Sequence, residues 1–324
     1  MRKLLIATAA VLATSGAAHA ETLKMATLPA NLMPAIVMAT FANIVSSNLD
    51  DIDIEVAAGG AATAHMMEVG RGNIEMSMSA PTVWALMKGG KAMYANQEEA
   101  PALADNVQLV MWYPYGQYSF TVRADSDIQT LDDLEGASVF LGPTGGGAWN
   151  AAYAYVKGST GLDAKEGDFE AIDANWVTGY QAFLDGAVDM YVGGCIHPCG
   201  AFLQITETEE IRFVGPADDT GESVDKALGK YRYRDTIPTG LYSGQMNEEP
   251  VATFNTAVGI VVNADVSEDT VYKITKTFWE NVDSVTSTAP WAASLDPQFG
   301  GTLQGSGISL HPGALKYYKE IGVQ

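Results

Sequence analysis

Short runs of β-branched and apolar residues recur along the chain, separated by longer stretches whose apolar positions have helical spacing. Residues 23–27, 52–57 and 74–78 read as strands, as do 138–141, 169–173, 189–192 and 211–214. Between the first two, residues 34–47 bring Ile36, Val37, Phe41, Ile44 and Val45 to one helical face. Residues 63–69, 148–157, 178–184 and 270–282 read as further helices, and 253–262 is a long continuous apolar run. Alternation of strand and helix predicts parallel sheets covered by helices, an α/β architecture.

A local echo divides this series. Gly72-Asn73-Ile74-Glu75-Met76 and Gly186-Ala187-Val188-Asp189-Met190 each follow a helical stretch, stop it at glycine, and lead into a strand and a small-residue loop. The copies are too far apart for a solenoid. They suggest two lobes on one plan, although a common helix-to-strand joint would give the same pattern. Between them, residues 111–118 form an aromatic stretch broken by Pro114 and Gly116, which suits a crossing between lobes. A return crossing is expected if the run 253–262 ends the second lobe. The expected division is 21–115 plus 265–324 for the first lobe and 116–264 for the second, with two crossings as a hinge.

The amino terminus changes the picture of where this protein works. Arg2 and Lys3 precede an apolar run, and Ala18-His19-Ala20 forms an A-x-A site before Glu21. Together these describe a cleaved export signal over residues 1–20, too short and too interrupted for a membrane span. The chain is expected to be periplasmic, soluble and monomeric. Its 39 acidic residues against 18 basic ones give a formal charge of −21. Nucleic acid and anionic membrane surfaces are therefore excluded as partners.

Candidate chemistry gathers at the ends of the predicted strands, where ligands bind in open parallel sheets. Asn31 follows the first strand, Gly60 and Ala61 the second, Ser79 the third, and Gly194 lies in a later turn. The strongest candidate is Thr144, Gly145, Gly146 and Gly147, opening a helix that carries Trp149 in its first turn. Such a loop lets backbone N–H groups approach an anion at a positive helix end. A tight turn without a ligand is the alternative, and Trp149 could flank a ligand or pack in the core. Spacing excludes a Walker loop and a dinucleotide fingerprint. Tyr113, Tyr118 and Tyr242, near the crossings, could cap a ligand or pack the hinge.

Arg71 and Arg123 read as surface residues, and Arg232 and Arg234 as part of an exposed strand or loop. No arginine is thus marked as a carboxylate clamp, so neutral donors and helix starts are expected to hold any anion. Cys195 and Cys199 suit a short-loop disulfide in an oxidising compartment. Two free thiols, or a metal site with His197, remain as alternatives. No catalytic signature is present, His65 and His311 read as structural, and neither cofactor nor metal is expected. An enzyme without a motif is the remaining alternative.

The stretch 69–76, the run from Val122 to Gly147, the segment 239–245 and Val261-Val262-Asn263 together resemble the TAXI family of TRAP-transporter solute-binding proteins. The resemblance spans nearly the whole chain after Ala20. It implies the type II periplasmic-binding-protein fold, each lobe a mostly parallel sheet flanked by helices. It further implies capture of a small organic anion (a dicarboxylate, a 2-oxo acid or an acidic amino acid) and delivery to a TRAP permease. Residues 28–31 and the two cysteines depart from the family pattern. The same fold serving an ABC importer or a sensor kinase is the nearest alternative.

Overall fold

A computed structural model describes residues 20–302 and 307–324; the expected export signal lies outside them, apart from Ala20. The chain folds around two sheets. The first begins with β1 (Glu21–Thr27), α1 (Met33–Asn48), β2 (Ile52–Ala58), α2 (Ala62–Arg71), β3 (Met76–Ser79) and α3 (Pro81–Lys88). After a short α4 (Ala100–Leu103), β4 (Val107–Pro114) runs through Tyr115 and Gly116 into β5 (Gln117–Arg123). The second sheet continues with β6 (Ser138–Phe140), α5 (Gly147–Thr160), β7 (Glu170–Ala171), α6 (Trp176–Leu184), β8 (Met190–Cys195), α7 (Gly200–Ile205) and β9 (Ile211–Phe213). Then come α8 (Glu222–Leu228), β10 (Arg232–Ile237), the long β11 (Val251–Asn263), α9 (Glu268–Asn281), α10 (Pro297–Thr302) and α11 (Pro312–Glu320).

The first sheet runs β10-β11-β3-β1-β2, with β4 also paired to β11; the second runs β7-β6-β8-β5-β9. Pairing is parallel for β1 with β2 and β3, and for β6 with β7 and β8. The echo noted in the sequence occupies equivalent places. Gly72 and Gly186 both take left-handed backbone, at φ +74° and +76°. The acid that follows each reaches across to the adjacent parallel strand. Glu75 Oε2 accepts from Lys24 N at 2.7 Å, and Asp189 Oδ2 accepts from Ser138 N at 2.8 Å.

Both crossings are strands rather than loops. The expected aromatic break is a bend at Gly116 between β4 and β5. Gly116 has φ +103°, and an added Cβ would stand 2.1 Å from the Cys195 carbonyl carbon, so glycine is required there. β11 makes the return: residues 251–256 pair with β10, and residues 257–263 pair with β4. β11 is long enough to pair with both β10 and β4, and it ends at Asn263, beside the boundary expected after residue 264. Its buried, continuously apolar second half is the pattern of a strand covered on both faces. The two crossings are tied together. Gly116 N–H donates to Asn255 Oδ1 at 3.1 Å, Tyr115 N–H to Thr256 O at 2.8 Å, and Thr253 Oγ1 to Tyr118 O.

Candidate ligand-binding cleft

A cavity of about 590 Å³ lies between the two sheets, outside the carboxyl ends of the parallel strands. Four helices open onto it. α2 and α3 come from the first sheet, with Thr63 and Thr82 at the wall; α5 and α6 come from the second, with Gly147, Ala148, Trp176 and Thr178. The residues just before α2, α3 and α5 are Ala61, Ala80 and Gly146, none of which supplies a side-chain cap. Pro81 gives α3 no N–H at its first position and Ala64 N–H donates to Ala61 O at 3.0 Å, but the other first-turn N–H groups have no partner inside the helix and remain available to a ligand. Only α6 is capped, by Asn175 Oδ1 accepting from Thr178 N at 2.9 Å.

The cation of the cleft is Arg232. It sits on β10 opposite Thr256, and both side chains line the cavity. Its Nε and Nη2 donate to the carbonyls of Ala227 and Leu228 at 2.9–3.2 Å, which fixes the guanidinium without neutralising it. Arg71 and Arg234 pair with carboxylates, whereas Arg232 has no ion pair among the described residues. Burial lowers its pKa, the expected cost of a desolvated charge, and neighbouring Tyr118 opposes the effect. Tyr118 is buried, stacks on Phe254 at 4.1 Å, and has no hydrogen bond to its hydroxyl among the described residues. Burial raises its pKa well above the usual phenol value. Arg232 thus lines the cavity, where the sequence reading had it on an exposed strand or loop.

Of the residues singled out from sequence, Gly60, Ala61, Tyr118, Gly146 and Gly147 line this cavity. Asn31 and Gly194 line a second cavity of about 350 Å³, between the start of α1 and the β8–α7 region. The others point elsewhere. Ser79 is buried on β3, with its hydroxyl on Ala80 O, and Tyr113 donates to Pro34 O at 3.4 Å. Trp149 turns away because Gly147, Ala148 and Ala151 occupy the cavity face of α5; it stacks on Tyr153 at 4.8 Å. Thr144 and Gly145 are in the turn but off the cavity wall, and Gly145 has φ +78° with open space around it.

Cys195 and Cys199 form a disulfide, which removes both the thiol and the metal readings. Inside its loop, His197 Nδ1 lies 2.6 Å from Tyr242 Oη, and Nε2 lies 2.8 Å from Ser119 Oγ. Tyr242 also accepts from Cys199 N at 2.9 Å. Tyr242 therefore braces the disulfide loop and is not among the residues lining either cavity. Burial depresses the His197 pKa to about 4, which keeps the imidazole neutral. His311 caps α11 and contacts Val266 O at 3.0 Å, a structural role.

Sequence reading missed Arg232, Thr63, Thr82, Tyr115 and Trp176. The two threonines had a signal, since each stands second in its helix after an alanine cap position. Arg232 had none, because its place depends on β10 pairing with β11.

The chain matches the NMT1-like family over residues 36–322. Among solved structures, the alkanesulfonate-binding protein SsuA from Xanthomonas axonopodis pv. citri, bound to MOPS, is similar with a TM-score of 0.51 at 14% identity. That match covers 85% of this chain and 78% of the other. A TRAP periplasmic solute-binding protein from Sulfitobacter sp. NAS-14.1, with bound β-D-galacturonate, gives 0.50 at 10% identity over 93% and 94% of the two chains. At such identities the likeness establishes the fold, that of periplasmic solute-binding proteins. Among the described residues no helix is long and apolar enough to cross a membrane.

Proposed function

The chain belongs to the NMT1-like family, and on that premise we propose that it is an exported solute-binding protein. It captures a small organic anion between two lobes and passes it to a membrane transporter. The lobes are the β1–β4 region with the carboxyl-terminal helices, and the β5–β9 region, joined through the β4–β5 bend and β11. The observation that carries this reading is Arg232: a half-buried cation without an ion pair, in a cavity onto which uncapped helices open from both lobes. In a water-excluding cleft these donors act at low dielectric, where they outweigh the repulsion of a chain with charge −21.

Binding stabilises the closed form only through its greater affinity for that form, and the transporter would read the closed surface. The TAXI resemblance supports a TRAP-type permease as the recipient. Delivery to an ABC importer is the second reading, since the likeness to an alkanesulfonate-binding protein is as strong as that to a TRAP protein. Reconstituted uptake separates the two: an ion gradient suffices for a TRAP permease, whereas an ABC importer requires ATP. The binding role is tested by mass spectrometry of protein incubated with an anion that raises its unfolding temperature. Stoichiometric recovery of the unchanged anion is expected, and turnover would replace this reading with an enzymatic one.

A further inference from the structure

We infer that the ligand is a monoanion with an apolar body, a carboxylate or sulfonate on an aromatic or aliphatic frame, not a diacid or an acidic amino acid. This deepens the anion-binding reading above and rests on it. The first argument is charge. Among the described residues Arg232 is the one formally charged side chain lining the cavity, and Tyr118, whose hydroxyl has no hydrogen bond among them, lines it too. They make one anion-binding pole. The other polar groups at the walls, such as the hydroxyls of Thr63 and Thr82, are neutral and suited to a carbonyl or hydroxyl on the ligand. A second carboxylate would be stripped of water with no second cation to meet it, only the partial positive charge of a helix start.

The second argument is the wall. Leu28, Met78, Val83, Trp176 and Val258 give the cavity a predominantly apolar lining, drawn from both lobes and the return strand. Such a surface gains from a hydrocarbon frame and gains nothing from a polar chain. The third is size. A Cβ added to Gly147 would stand 3.0 Å from Val83 Cγ2, so α5 of one lobe already meets α3 of the other. The 590 Å³ is thus the space left with the lobes in contact. It lies in the range that encloses drug-sized ligands. A four- or five-carbon diacid would leave much of it to water facing apolar walls.

The test is calorimetric titration of the purified protein with two probe sets. One holds phenylacetate, hexanoate and hexanesulfonate; the other holds succinate, glutamate and 2-oxoglutarate. At least one member of the first set is expected to bind tenfold or more tighter than every member of the second, and Arg232→Gln should lose that advantage. Equal or tighter binding of a diacid, or binding by none of the first set, overturns the ligand class. Diacid binding that Arg232→Gln abolishes would leave the anion reading standing and sink only the class. Phenylacetamide binding as tightly as phenylacetate would sink both. That last comparison uses the unaltered protein, so it reads the charge requirement even if the variant does not fold.

Discussion

The two cavities between the lobes differ in the features that make a cleft a binding site. The larger has an arginine whose charge is unanswered, helix starts without side-chain caps, and apolar walls from both lobes. The smaller is built from the openings of α1 and α7, likewise without side-chain caps, Tyr180 and Tyr191, and the disulfide of Cys195 and Cys199; among the described residues no charged side chain lines it. Around it, two polar side chains already have partners. Tyr180 donates to Ala201 O at 3.4 Å, and the neighbouring His197 is bonded on both ring nitrogens. Space and uncapped helix starts are common to both, whereas among the described residues an arginine without an ion pair lines only the larger. We therefore read the smaller as a seam where the lobes meet around a braced loop.

The sharpest way to break this contrast is to remove the charge. Arg232→Gln should weaken binding of the anionic ligand by about 30-fold or more, the usual cost of losing one partner of a buried charged contact. Titration of the variant beside the native protein checks this, and unchanged affinity would erase the distinction between the cavities.

The next largest effect concerns stability at the seam. Folded His197 binds a proton only near pH 4, whereas an unfolded histidine does so near 6.5. Its neutral form therefore contributes stability in full above about pH 6.5, and that contribution is lost as pH falls to about 4. Linkage puts the loss on the order of 3 kcal/mol. Denaturant unfolding across this window should show a steep decline in the native protein and a flatter one in His197→Asn. Equal slopes would mean that the loop is not braced as described.

A smaller effect is expected where the lobes touch. Gly147→Val places a branched side chain against Val83, with a first new atom at 3.0 Å, and should hold the lobes apart. Affinity should fall by about tenfold through poorer closure. The small-angle scattering radius of ligand-saturated protein should then exceed that of the native protein. The smallest effect is at the seam itself: Asn31→Ala should change affinity by less than about twofold, a surface-like substitution outside the site. A loss matching that of Gly147→Val would place the second cavity within the binding site.

Much of this architecture was legible in order along the chain. The α1 face was readable from apolar spacing, and the paired joints at Gly72 and Gly186 from a repeated local pattern. Both depend on neighbours close in sequence. Of the proposed site, Gly60, Ala61, Gly146 and Gly147 were readable because a glycine- or alanine-rich opening to a helix is itself the binding feature. Tyr118 was singled out with Tyr113 and Tyr242, and nothing local distinguished the one that reaches the cavity.

What the amino-acid sequence alone determined is the alternation of strand and helix and the small-residue helix openings. These follow from side-chain period, backbone freedom and capping, which act over a few residues. Only the tertiary structure decided which openings face the same space, and that Arg232 answers no carboxylate among the described residues. It also decided that β11 carries the chain back between lobes. Those outcomes depend on β10 lying against β11 and on lobes distant in sequence meeting at Gly147 and Val83. No local pattern encodes such pairings, because they are chosen by the burial of the whole chain at once.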